Sequence, residues 1–337
     1  MDSKTEAMTL SKSRKYVSAA IVALMSCLIS ATPGNSAESG KTIRLKVGYA
    51  SITGNRIPLW AAHDMEFFAR HGLQTDLIFI ASSSQGMPAL LAGEIPIFSG
   101  SPETAAMAAA AGAELVIIAS SEPTQYKLIV QPGIKSVAEL KGKKVGIDRL
   151  GGSSHYATRR MLDKLGLKPG DVEFMQVTGG GNQRVAALRS GILSAVLSTI
   201  ERFERAGVPY HVLADAIELG VRSIGSSYIT TRAFRDQNRE TLQRFMTALI
   251  EGTHWVKDPK NRAGVLQVIG RRLRTDDAAV LDLNYRLYVE PLIPFPYTKI
   301  DDLRSNINDL AESNPRLRDL NLAALVDNSF IQRIEKR

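Results

Sequence analysis

Two segments of the chain follow one pattern: Lys46-Val47-Gly48-Tyr49-Ala50-Ser51-Ile52-Thr53-Gly54 and Lys144-Val145-Gly146-Ile147-Asp148-Arg149-Leu150-Gly151-Gly152. Val47-Gly48 falls on Val145-Gly146, and Gly54 on Gly152. The match continues outward. Gly72-Leu73 meets Gly166-Leu167, Gln85 meets Gln183, Ala89-Leu90 meets Ala187-Leu188, and Gly93 meets Gly191. Beyond them Glu103 lies over Glu201, Ala111-Gly112 over Ala206-Gly207, and Ala119 over Ala214. The gaps are free, so the identities alone carry little. Their order within one strand-helix-strand series carries more, and implies two similar α/β units of small-domain size.

Around these segments, short β-rich runs alternate with longer helical ones, which predicts an α/β fold with mostly parallel strands. Strands are predicted at 43–49, 75–80, 95–99, 115–118, 144–147, 172–176 and 195–198. Two further extended runs, 126–130 and 226–230, bracket the second unit, and beyond Thr231 the pattern is nearly all helical. The expected organisation is therefore two lobes. Residues 42–125 and 231–337 form the first, 131–225 the second, and 126–130 and 226–230 act as hinges.

In open α/β sheets, ligands bind beyond the C-terminal ends of the strands, where loops lead into helix N-termini. Those loops form a matched set of small, hydroxyl and glycine residues. The first half offers Ser51, Gly54, Arg56, Ser83, Gly100 and Ser101; the second offers Gly152, Ser153, Ser154, His155, Gly180 and Thr199. Glycine lets backbone N–H groups approach a ligand, and free helix N-termini favour an anion. The same residue types also serve as plain caps and turns. Recurrence at equivalent places in both halves is what favours a cleft. Only Arg56 among these loops offers a charge to clamp an acid group.

The chain has 337 residues and a net charge of +8. Lys12, Arg14 and Lys15 precede an apolar run from Val17 through Ile29, followed by small residues up to Ser36-Ala37. That is the pattern of a cleaved secretory signal, residues 1–37, and implies export to the periplasm. Its removal takes Lys4, Lys12, Arg14 and Lys15 with Asp2 and Glu6 and leaves +6. It also removes Cys27, the single cysteine. Lipid anchoring through Cys27 is the rival reading, but Leu28 and Ile29 continue the apolar run past it. The densest basic cluster, Arg271, Arg272 and Arg274, reads as a solvated helix end rather than a nucleic-acid contact.

The sequence favours binding over chemistry. The five histidines lack metal-ligand spacing, no Gly-x-Ser-x-Gly elbow occurs, and Gly179-Gly180-Gly181 lacks the lysine of a P-loop, so no metal or cofactor is expected. Glu103 and Glu201 could face each other for acid-base work, but each begins a helix, where a glutamate is explained by the dipole.

Together, segments 46–54, 67–73, 89–95, 140–146, 152–154 and 242–257 resemble the solute-binding proteins of ABC importers for nitrate, sulfonates and taurine, with their thiamin-pyrimidine-binding relatives. The resemblance implies a type II periplasmic-binding-protein fold. It further implies ligand contacts at Ser51, Ser83, Ser101, Ser154 and Thr199, a membrane permease as partner and a monomeric carrier. A secreted enzyme or a ligand sensor on the same scaffold, and a neutral pyrimidine-like ligand, remain open at this point.

Overall fold

The computed structural model describes residues 42–336 apart from 122–124, 149, 151–152, 222–224, 309 and 313. The expected signal segment with Cys27, and Gly152, lie outside the described residues; of Ser153 only its place at a helix start is described. In chain order, β1 (Ile43–Tyr49) leads through α1 (Ile57–Asp64) and α2 (Phe67–Arg70) to β2 (Leu73–Phe79). Then come α3 (Ser83–Leu91), β3 (Ile97–Gly100), α4 (Pro102–Ala110) and β4 (Leu115–Ser120). After a crossing follow β5 (Lys127–Val130), β6 (Lys144–Ile147), α5 (Ser153–Lys164), β7 (Glu173–Gln176) and α6 (Gly181–Arg189). β8 (Ala195–Ser198), α7 (Ile200–Ala206) and β9 (His211–Asp215) complete this part, and the chain returns as β10 (Ser227–Thr231). The remainder is helical: α8 (Arg232–Gln237), α9 (Arg239–Lys257), α10 (Arg262–Leu273), α11 (Ala278–Tyr288), α12 (Ile300–Asn308), α13 (Leu322–Leu325) and α14 (Ser329–Glu335).

The internal repeat becomes two five-stranded sheets of the same design, ordered β2-β1-β3-β10-β4 and β7-β6-β8-β5-β9. In each, the first three strands are parallel and the fourth runs antiparallel to both neighbours. The likeness reaches single side chains. A Cβ on Gly48 would lie 2.6 Å from Ile95 Cδ1, and one on Gly146 would lie 2.4 Å from Leu193 Cδ1. Both glycines therefore yield to an apolar side chain closing over the strand. β4 and β8 are buried throughout, as continuous apolar strands packed on both faces must be.

The two runs expected to be hinges, 126–130 and 226–230, overlap β5 and β10 and are ladder strands. The chain crosses between sheets just outside them, between Ser120 and Lys127 and between Asp215 and Ser227. β9 is the strand that the pattern does not disclose. It is a partly exposed edge strand, so His211-Val212-Leu213-Ala214-Asp215 shows no clean apolar alternation.

The helical tail covers the first sheet. Phe245 of α9 stacks on Phe68, ring centroids 5.2 Å apart and nearly parallel, and Trp60 is buried in the same cluster. In the basic cluster at the end of α10, Arg271 and Arg274 are exposed as the sequence suggests, while Arg271 and Arg272 also pair with Asp64 at the end of α1. α9 approaches α1 through Gly252, where a Cβ would lie 2.8 Å from Ala62 Cβ and 2.9 Å from its Cα. Alanine gains about 1 kcal/mol over glycine in a helix, but overpacking against backbone costs about 1–3 kcal/mol. Gly252→Ala is therefore expected to lower stability in chemical denaturation despite its better helix propensity.

Candidate functional site

The strand-end loops of both sheets converge on a polar cleft of about 250 Å³. From the first sheet come 50–56, 81–85 and 101–104; from the second come Asp148, Ser154, 178–184 and Thr199 with Arg202. Tyr126, Ser226 and Tyr288 close its remaining side. The two loop sets touch. Tyr288 of α11 donates a hydrogen bond to Glu201 Oε1 (2.7 Å), and Arg205 reaches the Ile52 carbonyl at 3.5 Å. Gly180, in a left-handed conformation at φ 95°, brings the start of α6 so close to the first loops that a Cβ there would lie 3.3 Å from the Ala81 carbonyl oxygen.

Most of the expected residues reach this cleft, but their hydroxyls are already engaged. Ser101 caps α4, accepting from Thr104 N (3.2 Å) while donating to Glu103 Oε2 (2.5 Å). Thr199, at the start of α7, repeats the arrangement by donating to Glu201 Oε1 at 2.5 Å. Ser154 accepts from Asp148 N (2.9 Å) and donates to the Asp148 carboxylate. Ser83 accepts from Ser101 N at 2.8 Å, and Ser51 bonds Thr53 at 3.0 Å. The positive ends of α4 and α7 thus face carboxylates of their own chain. At these two helices the N-termini are therefore not free sources of positive potential, whereas α6 starts at Gly180 with no side-chain cap.

Three expected contacts point elsewhere. His155 packs edge-on against Phe174 at 4.7 Å and does not line the cleft. Gly100 sits beneath it, where a Cβ would meet Phe98 at 2.3 Å and Ser83 Oγ at 3.0 Å. Gly54 lines a neighbouring cavity and makes room for the Tyr288 ring, 2.0 Å from where its Cβ would stand.

The cations of the cleft are arginines, of which the loop reading named one. Arg56 is 2% exposed and has no carboxylate partner among the described residues; its Nη1 donates to Ser99 Oγ (2.6 Å) and its Nη2 to the Ser99 carbonyl (3.1 Å). Burial lowers its pKa to about 10, so it remains charged at neutral pH. Holding that charge costs on the order of 3 kcal/mol, and the cost is relieved only as pH rises above about 10. Arg56→Met is therefore expected to stabilise the unliganded protein by about 1–3 kcal/mol at pH 7, read by denaturant melting, because Tyr228 still bonds Ser99.

Arg184, on the first turns of α6, is the residue that sequence reasoning missed. Its Nε and Nη1 are shut off from solvent and have no hydrogen-bond partner among the described residues, although the side chain lines the cleft. Burial pulls its pKa below the usual arginine range, Asp148 opposes this, and Arg202 adds to it. Arg202 lines the same wall and donates to Asn182 Oδ1 at 3.3 Å. A guanidinium with unsatisfied N–H groups in the cleft wall fits an oxyanion, which accepts charge-assisted N–H bonds.

Two sheets of this order with a cleft between their strand-end loops define the type II periplasmic-binding-protein fold, and comparison agrees. The chain matches a protein of Bordetella bronchiseptica at TM-score 0.73 with 23% identity, covering 87% of this chain and 97% of that one. The Xanthomonas axonopodis alkanesulfonate-binding protein bound to MOPS gives 0.70 at 19%, covering 85% and 99%. The Synechocystis nitrate-binding protein gives 0.73 at 13%, covering 88% and 89%. The chain belongs to the NMT1/THI5-like family, whose model matches residues 53–262. Curated relatives from Brucella abortus, named only as binding proteins, are 28% identical over 216 residues; the match spans 62% of this chain and 65% of theirs.

Proposed function

We propose that the protein is the extracytoplasmic solute-binding component of an ABC importer, and that it captures a small organic oxyanion of the sulfonate or carboxylate class. The observation that carries this reading is Arg184 in the cleft wall, a guanidinium whose Nε and Nη1 have no hydrogen-bond partner among the described residues. A ligand that supplies a partner offsets the cost of keeping such a charge out of water. Glu103 and Asp148 line the same cleft, so a solute that carries an ammonium besides its oxyanion, as taurine does, fits better than nitrate. A volume of about 250 Å³ suits a compact molecule of this kind.

In this reading the two sheets and their helices are the lobes. Residues 42–125 with 231–337 form one and 131–225 the other, and they part about the crossings that flank β5 and β10. The solute bridges the loop sets, and the closed form is what the permease receives. The chain acts as an exported monomer, binds no nucleic acid and leaves its solute unchanged. Incubation with taurine, ethanesulfonate, acetate, nitrate and a pyrimidine, followed by native mass spectrometry, tests this. One intact oxyanion per chain is expected; preference for the neutral pyrimidine, or release of a product, contradicts it.

A further inference from the structure

Beside the cleft lies a second cavity of about 260 Å³ that shares only Asn55 and Tyr288 with it. Its walls are Leu249 and Thr253 of α9, Leu287 at the end of α11, the following loop with Leu292 and Ile293, and Ile217 from the second crossing. Among the described residues none of its lining is charged, whereas the cleft carries Arg56, Arg184, Arg202, Glu103 and Asp148. Its polar side chains are mostly spent within the protein. Thr253 Oγ1 donates to the Leu249 carbonyl (2.8 Å), and Ser120 Oγ lies 2.7 and 2.8 Å from the Ser227 and Thr298 hydroxyls. Gln125 Nε2 reaches the Leu287 carbonyl at 3.5 Å. What the walls offer an occupant is apolar surface, and Ile217, 44% exposed, stands ready to be covered by it.

We propose that this cavity is a second ligand site, for a small uncharged apolar molecule, separate from the oxyanion site. The two cavities sort ligands by charge: moving an ion into the apolar one strips its water without supplying a partner, while an apolar molecule gains from every group it buries. The inference does not rest on the reading of Arg184, since no charged group takes part.

The test uses benzene, toluene and ethylbenzene as probes, titrated onto the protein and followed by amide NMR shifts. Affinity is expected to rise about fourfold per added carbon, with the shifted amides clustered at 249–253 and 287–293. Leu292→Trp, which fills the cavity from a half-buried wall position, is expected to weaken toluene at least tenfold. Ile217→Asp, a change at the exposed rim that does not touch the core, is expected to weaken it severalfold. Arg184→Gln is expected to leave it unchanged. No toluene binding to the native protein, equal binding to both cavity variants, or shifts confined to the polar cleft would overturn the proposal.

Discussion

Replacing Arg184 with glutamine is expected to weaken binding of the oxyanion by at least about 100-fold, while the unliganded protein keeps its stability or gains some. Truncating one partner of a buried charged pair costs about 2–5 kcal/mol of affinity. The unliganded protein loses no hydrogen bond at Arg184 Nε or Nη1, which have no partner among the described residues. Burial outweighs the attraction of Asp148, so removing the charge relieves the folded state. Calorimetric titration with the solute and a denaturant melt without it separate the two effects. A variant that binds normally, or that loses binding only because it unfolds, removes Arg184 from the site.

Gly54→Ala is the second large effect, and it acts through Tyr288. The new Cβ would lie 2.0 Å from Tyr288 Cδ2 and 2.5 Å from Cγ, a distance at which the ring must leave its place. Its hydroxyl, held protonated by burial and by Glu201, then abandons the Glu201 carboxylate, whose Oε2 is already buried without a partner. Overpacking and the loss of one of the two donors to Glu201 Oε1 together cost about 2–4 kcal/mol. Tyr288→Phe removes only the hydroxyl and is expected to cost about 1–2 kcal/mol. Equal melting of the two variants would show that the ring's seat on Gly54 is unimportant.

The fold was legible because both sheets repeat one pattern of apolar runs, so β1, β6 and β8 fall where the sequence predicts them. The position of the site was legible too, since strand-end loops converge by topology alone. Its chemistry was less so. Ser101, Ser154 and Thr199 read as donors for a ligand, yet each is turned toward a carboxylate two or six residues away, and spacing alone does not say which partner wins. Arg184 sits on a helix, where an arginine ordinarily reads as solvated. The repeat does carry a signal for it: Gln183 matches Gln85, and the next position is Gly86 in one half and Arg184 in the other. Gly86 has no room for a side chain, because its Cβ would meet Phe98 at 2.3 Å, so only the second half places a cation there. Tyr288 has no counterpart in the repeat, and nothing in its helical surroundings marks a residue that reaches Glu201 across 87 positions of sequence.

The most direct measurement is a structure of the protein crystallised with the best-bound oxyanion. It should place an oxygen of the anion within about 2.7–3.1 Å of a guanidinium nitrogen of Arg184, between the two loop sets. An anion seated elsewhere, with Arg184 still unpaired, would contradict the proposed role of the cleft.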